Sequence, residues 1–306
     1  MTTISNKAFW LRVEDVFEQG VKAAKQPQKF KTLLHDFISA EPWKTRCGLL
    51  EFDREGKRTI IVGDVHGDLN SLRSIVRSII EYNDEYVLIF LGDYIDRGPS
   101  QVEVLAGLLS LALHSNENVI LLRGNHEPPI GLEPFPHDYP YVLREYFGGL
   151  AEKLYELSLE AFNKLVLLAI AKGEAILVHG GPPTHLEEVE ISELFTCTDK
   201  LPKMDVVEEI LWNDPLENDR KWAPSPRGAG RLWGSKITQI ALEKTKTKII
   251  IRAHEPSFKG YKFNHGGKVL TLFSCKLPIY GNLLAAYLDV PGDSKLWKAS
   301  HFIKTF

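Results

Sequence analysis

Five short apolar runs, at residues 59–62, 86–91, 119–122, 175–178 and 249–251, each deliver an oxygen or imidazole donor just past their ends. The donors are Asp64 and His66, Asp93, Asn125, His179, and His254. The first three blocks read Gly63-Asp64-Val65-His66-Gly67, Gly92-Asp93-Tyr94-Ile95-Asp96-Arg97-Gly98 and Gly124-Asn125-His126-Glu127, with Asp64, Asp93 and Asn125 spaced 29 and 32 residues apart. Carboxylate, amide oxygen and imidazole together suit borderline divalent ions such as Mn²⁺, Fe²⁺ or Zn²⁺ better than a calcium cage or a thiolate site. One ion would take Asp64, His66 and Asp93, and a second would take Asp93, Asn125, His179 and His254, with Asp93 as the bridge. Two metals about 3.5–4 Å apart form the usual clamp for phosphoester hydrolysis. A single Asp or Asn after a strand is often only a helix cap. Five strand-end deliveries in order are hard to obtain by capping alone.

The residues between the donors sharpen the chemistry. Asp96, three residues beyond Asp93, can orient the ring of His126, the neighbour of Asn125, as a general acid for a leaving alkoxide. Arg97 and Arg227 are candidates to grip phosphate oxygens in bidentate fashion, with Asn125 as a third phosphate contact. Arg123 is read as an ion-pair partner behind the site, and His137 and Tyr139 as lining a substrate groove.

These side chains need a scaffold that gathers strand ends. The runs 70–82 and 100–114 carry apolar residues at helical spacing between the first strands (Leu72, Ile75, Val76, Ile79 and Ile80, then Val104, Leu105, Leu108 and Leu111). Strands alternating with helices imply right-handed βαβ units and a largely parallel sheet, whose ligands gather beyond the carboxyl ends of its strands. Residues 8–50 read as helical, 141–147 and 151–168 as helices, and 269–273 and 283–290 as late strands forming an antiparallel layer. Between them, 128–141 holds five prolines and reads as a semi-rigid surface loop. The fold class expected is α/β, a central mixed β-sandwich flanked by helices around a βαβαβ core. A single domain spans 1–306, with 1–56 a helical extension and 57–290 the catalytic core.

A net charge of −3 gives no global attraction to nucleic acid or anionic membrane. No run approaches the roughly 18 apolar residues of a membrane span. The first residues lack the h-region of a secretory signal. Three cysteines (Cys47, Cys197 and Cys275) make a disulfide scaffold or cysteine-rich zinc site improbable. The expected compartment is the cytoplasm.

In order and form, GDVHG, GDYIDRG, LRGNHE, HGG, PRGAG and RAH resemble the phosphoprotein phosphatase family within the wider calcineurin-like metallophosphoesterases. The altered 274–282 loop and the proline-rich insertion look more like a prokaryotic, in particular archaeal, member. The resemblance covers roughly 57–290 and implies the same six ligand positions, the His126–Asp96 pairing and Arg227 as a second phosphate clamp. It places Asp214, in Leu211-Trp212-Asn213-Asp214-Pro215, near the site. It implies a Ser/Thr protein phosphatase with two divalent metals, Mn²⁺ foremost and Fe or Zn as options. Phosphomonoesters in phosphoprotein or phosphopeptide substrates would be hydrolysed by direct attack of a metal-bridging hydroxide. The competing reading is a relative acting on small phosphoesters or dinucleoside polyphosphates. The chain departs from the family at Ser274-Cys275-Lys276-Leu277-Pro278-Ile279-Tyr280-Gly281-Asn282, where Tyr280 stands in for the overhanging loop's tyrosine at a different spacing.

Overall fold

The computed structural model describes residues 12–80, 86–115, 117–197 and 201–306. Its first elements are helices α1 (Val13–Ala23) and α2 (Pro27–Ala40) and strand β1 (Leu49–Phe52). On α1, Val13, Val16, Phe17, Gly20 and Val21 are buried at the i, i+3, i+4, i+7, i+8 spacing of one helical face. Helix α2 starts with Pro27 at its first turn and ends at Ala40, because Glu41 precedes a proline and turns to a positive φ of 43°. The helical reading of 8–50, and of 1–56 as a helical extension, is thus corrected at its end: β1 is an edge strand of a sheet. Residues 8–11 and 81–82 of the expected helices lie outside the described residues.

The centre follows the expected alternation: β2 (Arg58–Val62), α3 (Leu69–Ile80), β3 (Tyr86–Phe90), α4 (Gln101–His114) and β4 (Val119–Leu121). Leu72, Ile75, Val76 and Ile79 of α3 are all buried. Helix α4 is buried on nearly every face because α1 lies directly against it; a Cβ on Gly20 would sit 2.4 Å from the Ala106 carbonyl. Next come α5 (Tyr139–Phe147), α6 (Ala151–Phe162), β5 (Leu168–Ala171) and β6 (Ala175–Val178). The helix expected over 151–168 stops at Phe162, and the apolar run after it supplies β5. An apolar run this short fits a buried strand as well as a helix, so periodicity alone cannot separate them. A short helix α7 (Ile191–Leu194), then α8 (Met204–Trp212), β7 (Asp214–Pro215), β8 (Trp222–Pro224), β9 (Arg231–Trp233) and α9 (Ser235–Thr245) lead into β10 (Ile249–Arg252). Strands β11 (Tyr261–Asn264), β12 (Val269–Leu272), β13 (Ala286–Val290) and β14 (Ile303–Thr305) complete the chain.

Two mixed sheets form a sandwich flanked by helices, in the orders β14-β13-β2-β3-β4 and β1-β5-β6-β10-β12-β11, beside a small β7-β9-β8 sheet. Strands β2, β3 and β4 run parallel, and β13 adds antiparallel to β2 (Leu288 opposite Ile61). The late strands are only partly the antiparallel layer expected: β12 runs parallel to β10, with β11 as its antiparallel edge partner. Side-chain alternation divides the interior. Ala175, Leu177, Ile249, Ile251, Leu270 and Leu272 join the core shared with β2–β4, while Ile176, Val178, Ile250 and Val269 meet α8 and α9 on the outer face.

Cys47 and Cys197 form a disulfide, with Cα atoms 5.8 Å apart. This corrects the expectation from cysteine count: a separation of 150 residues leaves no spacing signature, and only the fold brings the two together. Cys275 is free and buried. Among the described residues no helix is long and apolar enough to cross a membrane.

Candidate metal centre and active site

All five strand ends converge. Asp64 and His66 follow β2, Asp93 follows β3 and Asn125 follows β4 in one sheet, whereas His179 follows β6 and His254 follows β10 in the other. Their side chains are buried. Compact turns bring them in: His66, Asp93, Asp96, Arg97 and His254 all have positive φ, between 46° and 74°. Such left-handed backbone is costly for non-glycine residues and collects at functional sites. The turn after β4 is equally tight, since a Cβ on Gly124 would lie 2.2 Å from Asp93 Oδ1.

The donor atoms are mutually close. Asn125 Oδ1 lies 2.9 Å from His179 Nε2 and 2.8 Å from His254 Nδ1, and those nitrogens are 3.2 Å apart. Asp93 Oδ1 is 3.3 Å from His179 Nε2, and its Oδ2 is 3.4 Å from His66 Nε2. His66, Asp93 and His126 form one compact group of ligand atoms and Asp93, His179 and His254 a second, so Asp93 belongs to both. Asp64 stands beside them, its Oδ1 accepting the His254 N–H at 2.8 Å.

Hydrogen bonds to the far ring nitrogens set which atoms face inward. His66 Nδ1 donates to the Ile95 carbonyl at 2.9 Å and His179 Nδ1 to the Leu91 carbonyl at 2.8 Å, leaving both Nε2 lone pairs pointing at the cluster. Burial lowers His66 to about 4 and, with the charges of His179, Arg227 and Arg252, holds His254 well below the usual histidine range. The result is a set of acceptor lone pairs aimed at one another, an arrangement suited to a shared cation. Burial, then the charge of Asp93, raises Asp64 to about 7, as two uncompensated carboxylates demand. Burial disfavours a charged His179, yet Asp93 beside it raises that ring. The donor set therefore fits two adjacent divalent ions.

Beside the cluster, His126 Nδ1 donates to Asp96 Oδ2 at 2.6 Å, and its backbone N–H donates to Asp93 Oδ1 at 3.0 Å. Burial opposes a charged His126 ring, but Asp93 and Asp96 raise it. Burial also opposes the charge on Asp96, which the donors His126 and His137 nevertheless hold well below the carboxylate range. Asp64, His66, Asp93, Asn125 and His126 line a cavity of about 340 Å³ together with Arg97, Arg227, Trp212, Phe135 and Tyr280. Arg227 is held there by Asp214 (Nε to Oδ2, 2.6 Å), which a fully buried Arg252 grips from behind at 3.0 Å. The Arg97 guanidinium has no carboxylate partner among the described residues, so it is free to meet an anion. Tyr280 stacks on His66 with centroids 5.4 Å apart.

Two readings of residues around the site are corrected. Arg123 is buried, but its guanidinium bonds the Glu127 carbonyl and Asn163 Oδ1 rather than a carboxylate. His137 and Tyr139 do not line a groove: Tyr139 is wholly buried, and His137 turns inward onto Asp96. Sequence reasoning also passed over Glu127. Its carboxylate accepts the N–H groups of Asp93, Tyr94 and Gly124 and so knits two ligand turns together. Its place in the Gly-Asn-His-Glu block was the available signal. Arg252, beside His254 in the Arg-Ala-His block, was passed over as well.

Comparison with known proteins agrees. Residues 57–258 match the calcineurin-like phosphoesterase family. The chain is 30% identical over 236 residues to a serine/threonine-protein phosphatase PP1-1 of Saccharomyces cerevisiae, covering 76% of this chain and 74% of that one. The fold resembles that of a serine/threonine phosphatase of the same yeast, itself described as similar to human PP5. That match has a TM-score of 0.76 and 23% identity over 99% of this chain and 96% of the other. A cold-active protein-tyrosine phosphatase of a Shewanella species shares the fold at a TM-score of 0.57 and 16% identity, over 87% of this chain and 84% of that one. Motifs, fold and family match converge: the chain belongs to the calcineurin-like phosphoesterases.

Proposed function

We propose that the chain is a metal-dependent Ser/Thr protein phosphatase whose substrates are phosphoproteins or phosphopeptides. The observation that carries this reading is His126, held by the buried Asp96, opening on the same cavity as the donor cluster, Arg97 and Arg227. Asp64, His66 and Asp93 would hold one ion and Asp93, Asn125, His179 and His254 the other. Bound there, divalent ions such as Mn²⁺, Fe²⁺ or Zn²⁺ supply Lewis acidity and an activated water at neutral pH. The chain's own side chains do the rest. Arg97 and Arg227 bind the phosphate oxygens and stabilise the charge that spreads over them as the ester breaks. Asn125 adds a polar contact at the floor. His126, kept protonated on Nδ1 by Asp96, has Nε2 left to deliver a proton to the departing seryl or threonyl oxygen, an effect worth about 10²–10⁴ in rate. The kinship with a yeast serine/threonine-protein phosphatase supports a protein substrate.

The test titrates metal-stripped protein with Mn²⁺, Fe²⁺, Zn²⁺ and Mg²⁺ and follows turnover of a phosphoserine peptide beside diadenosine tetraphosphate. Metal-dependent turnover of the peptide is expected, collapsing in Asn125→Ala and His126→Ala while melting stays cooperative. Faster cleavage of the dinucleotide would replace the protein substrate with a small one, and unaltered rates in either variant would overturn the site.

A further inference from the structure

The proline-rich 128–138 segment ends on the active-site carboxylate. Asp96 is fully buried and accepts four hydrogen bonds. Oδ1 takes the backbone N–H groups of Asp138 (2.9 Å) and Tyr139 (2.8 Å). Oδ2 takes two ring N–H groups, from His126 at 2.6 Å and from His137 at 2.7 Å. A carboxylate offers about four lone-pair positions, and here all are filled. Behind His137, its Nε2 lies 3.0 Å from the Tyr155 hydroxyl. Burial, then the charges of Glu133 and Asp96, push that phenol up to about 12, so it keeps its proton and donates it to Nε2. This fixes the tautomer in which Nδ1–H faces Asp96. The loop is secured next door too: the Asp138 carboxylate accepts the Arg97 N–H at 3.1 Å and the Gln101 amide at 2.9 Å.

We propose that His137 is a positioning residue for proton delivery, clamping Asp96 Oδ2 opposite His126 in a Tyr155–His137–Asp96–His126 chain. Two backbone donors on Oδ1 alone would let Oδ2 swing; the second imidazole on Oδ2 stops that swing and with it the tilt of the His126 ring. The inference rests on the reading of His126 as the acid and extends it to a loop that lies outside the recognised motifs.

The experiment compares kcat and KM of the Mn²⁺-loaded full chain on a phosphoserine peptide and on p-nitrophenyl phosphate, whose leaving group needs no proton. The variants are His126→Asn, His137→Phe, His137→Asn, His137→Gln and Tyr155→Phe. His126→Asn should lose roughly a hundredfold or more in kcat on the peptide but little on the nitrophenyl ester. His137→Phe should show the same leaving-group selectivity on a smaller scale, about tenfold in kcat with KM unchanged. His137→Asn, whose amide N–H falls where Nδ1–H was, should restore most of that loss. His137→Gln, which places its amide at the Nε2 position, should not, and Tyr155→Phe should fall between. Should His137→Phe fail to fold, the contrast between Asn and Gln decides. Equal losses on both substrates, no loss, or a faster peptide reaction would overturn the positioning role while leaving His126 in place. Absence of selectivity in His126→Asn itself would remove the acid and the proposal together.

Discussion

Replacing Glu127 with glutamine changes one oxygen to NH₂ and leaves the shape intact, yet the structure makes it a severe substitution. The wild-type carboxylate is fully buried. One oxygen accepts from Asp93 N (2.9 Å) and Gly124 N (3.0 Å), and the other accepts from Tyr94 N (2.8 Å) and Ile95 N (3.4 Å). Whichever way the amide turns, its NH₂ faces two backbone N–H groups that then have no acceptor. Each buried unsatisfied group costs about 1–3 kcal/mol, so a loss of roughly 2–6 kcal/mol is expected. Burial and the Asp93 charge raise Glu127 to about 7, so the metal-free wild type takes up a proton as the pH falls through 7 and the penalty shrinks in that direction. Metal neutralises Asp93 and restores the carboxylate, so the penalty is largest in the loaded protein. Melting curves at pH 8, with and without Mn²⁺, should show a drop on the order of 10 °C with metal, and a smaller stabilisation by Mn²⁺ than in wild type. Unchanged melting and an unchanged response to Mn²⁺ would refute the argument that this carboxylate braces the ligand turns.

Metal binding should be pH-dependent in a stated direction. Asp64 must lose its proton to act as a ligand, and burial with Asp93 places that loss near 7 in the metal-free chain. Mn²⁺ affinity of metal-stripped protein should therefore be full above about pH 8 and fall by up to roughly tenfold per unit below 7, with proton release in calorimetry; a flat profile from pH 8 to 6 would contradict it. The Cys47–Cys197 bridge closes 150 residues, for which the chain-entropy estimate is at most about 5 kcal/mol. A Cys47→Ser, Cys197→Ser double variant should melt lower yet keep its kcat on a phosphopeptide, because among the described residues none beside the bridge lines the catalytic cavity. Equal melting of oxidised and reduced protein would count against it.

The donor set was legible because its residues end strands, and strand ends are visible as short apolar runs closed by glycine. The order of blocks then carried the family and the sandwich. What stayed hidden depends on contacts far apart in sequence. Glu127 stands in the Gly-Asn-His-Glu block, but its bonds to backbone N–H groups about 33 residues upstream are visible only in the fold. His137 reads from sequence as lining a substrate groove in a proline-rich loop, and only the fold turns it onto Asp96, 41 residues away. Strands β1 and β5 hid because they pair with each other across more than a hundred residues, and neither run is long enough to show a period.

The donors come from both layers of the sandwich, with Asp64 and His254 touching across 190 residues of chain. A cation held by the whole set would be a clasp on the seam between the sheets. Coordination tolerates displacements of only about 0.2 Å. A cavity opened in the core the two sheets share, for instance at Leu177 or Ile61 just behind the ligand turns, would register as a leak of metal before any loss of secondary structure. Metal occupancy would then serve as a strain gauge for the packing of this protein.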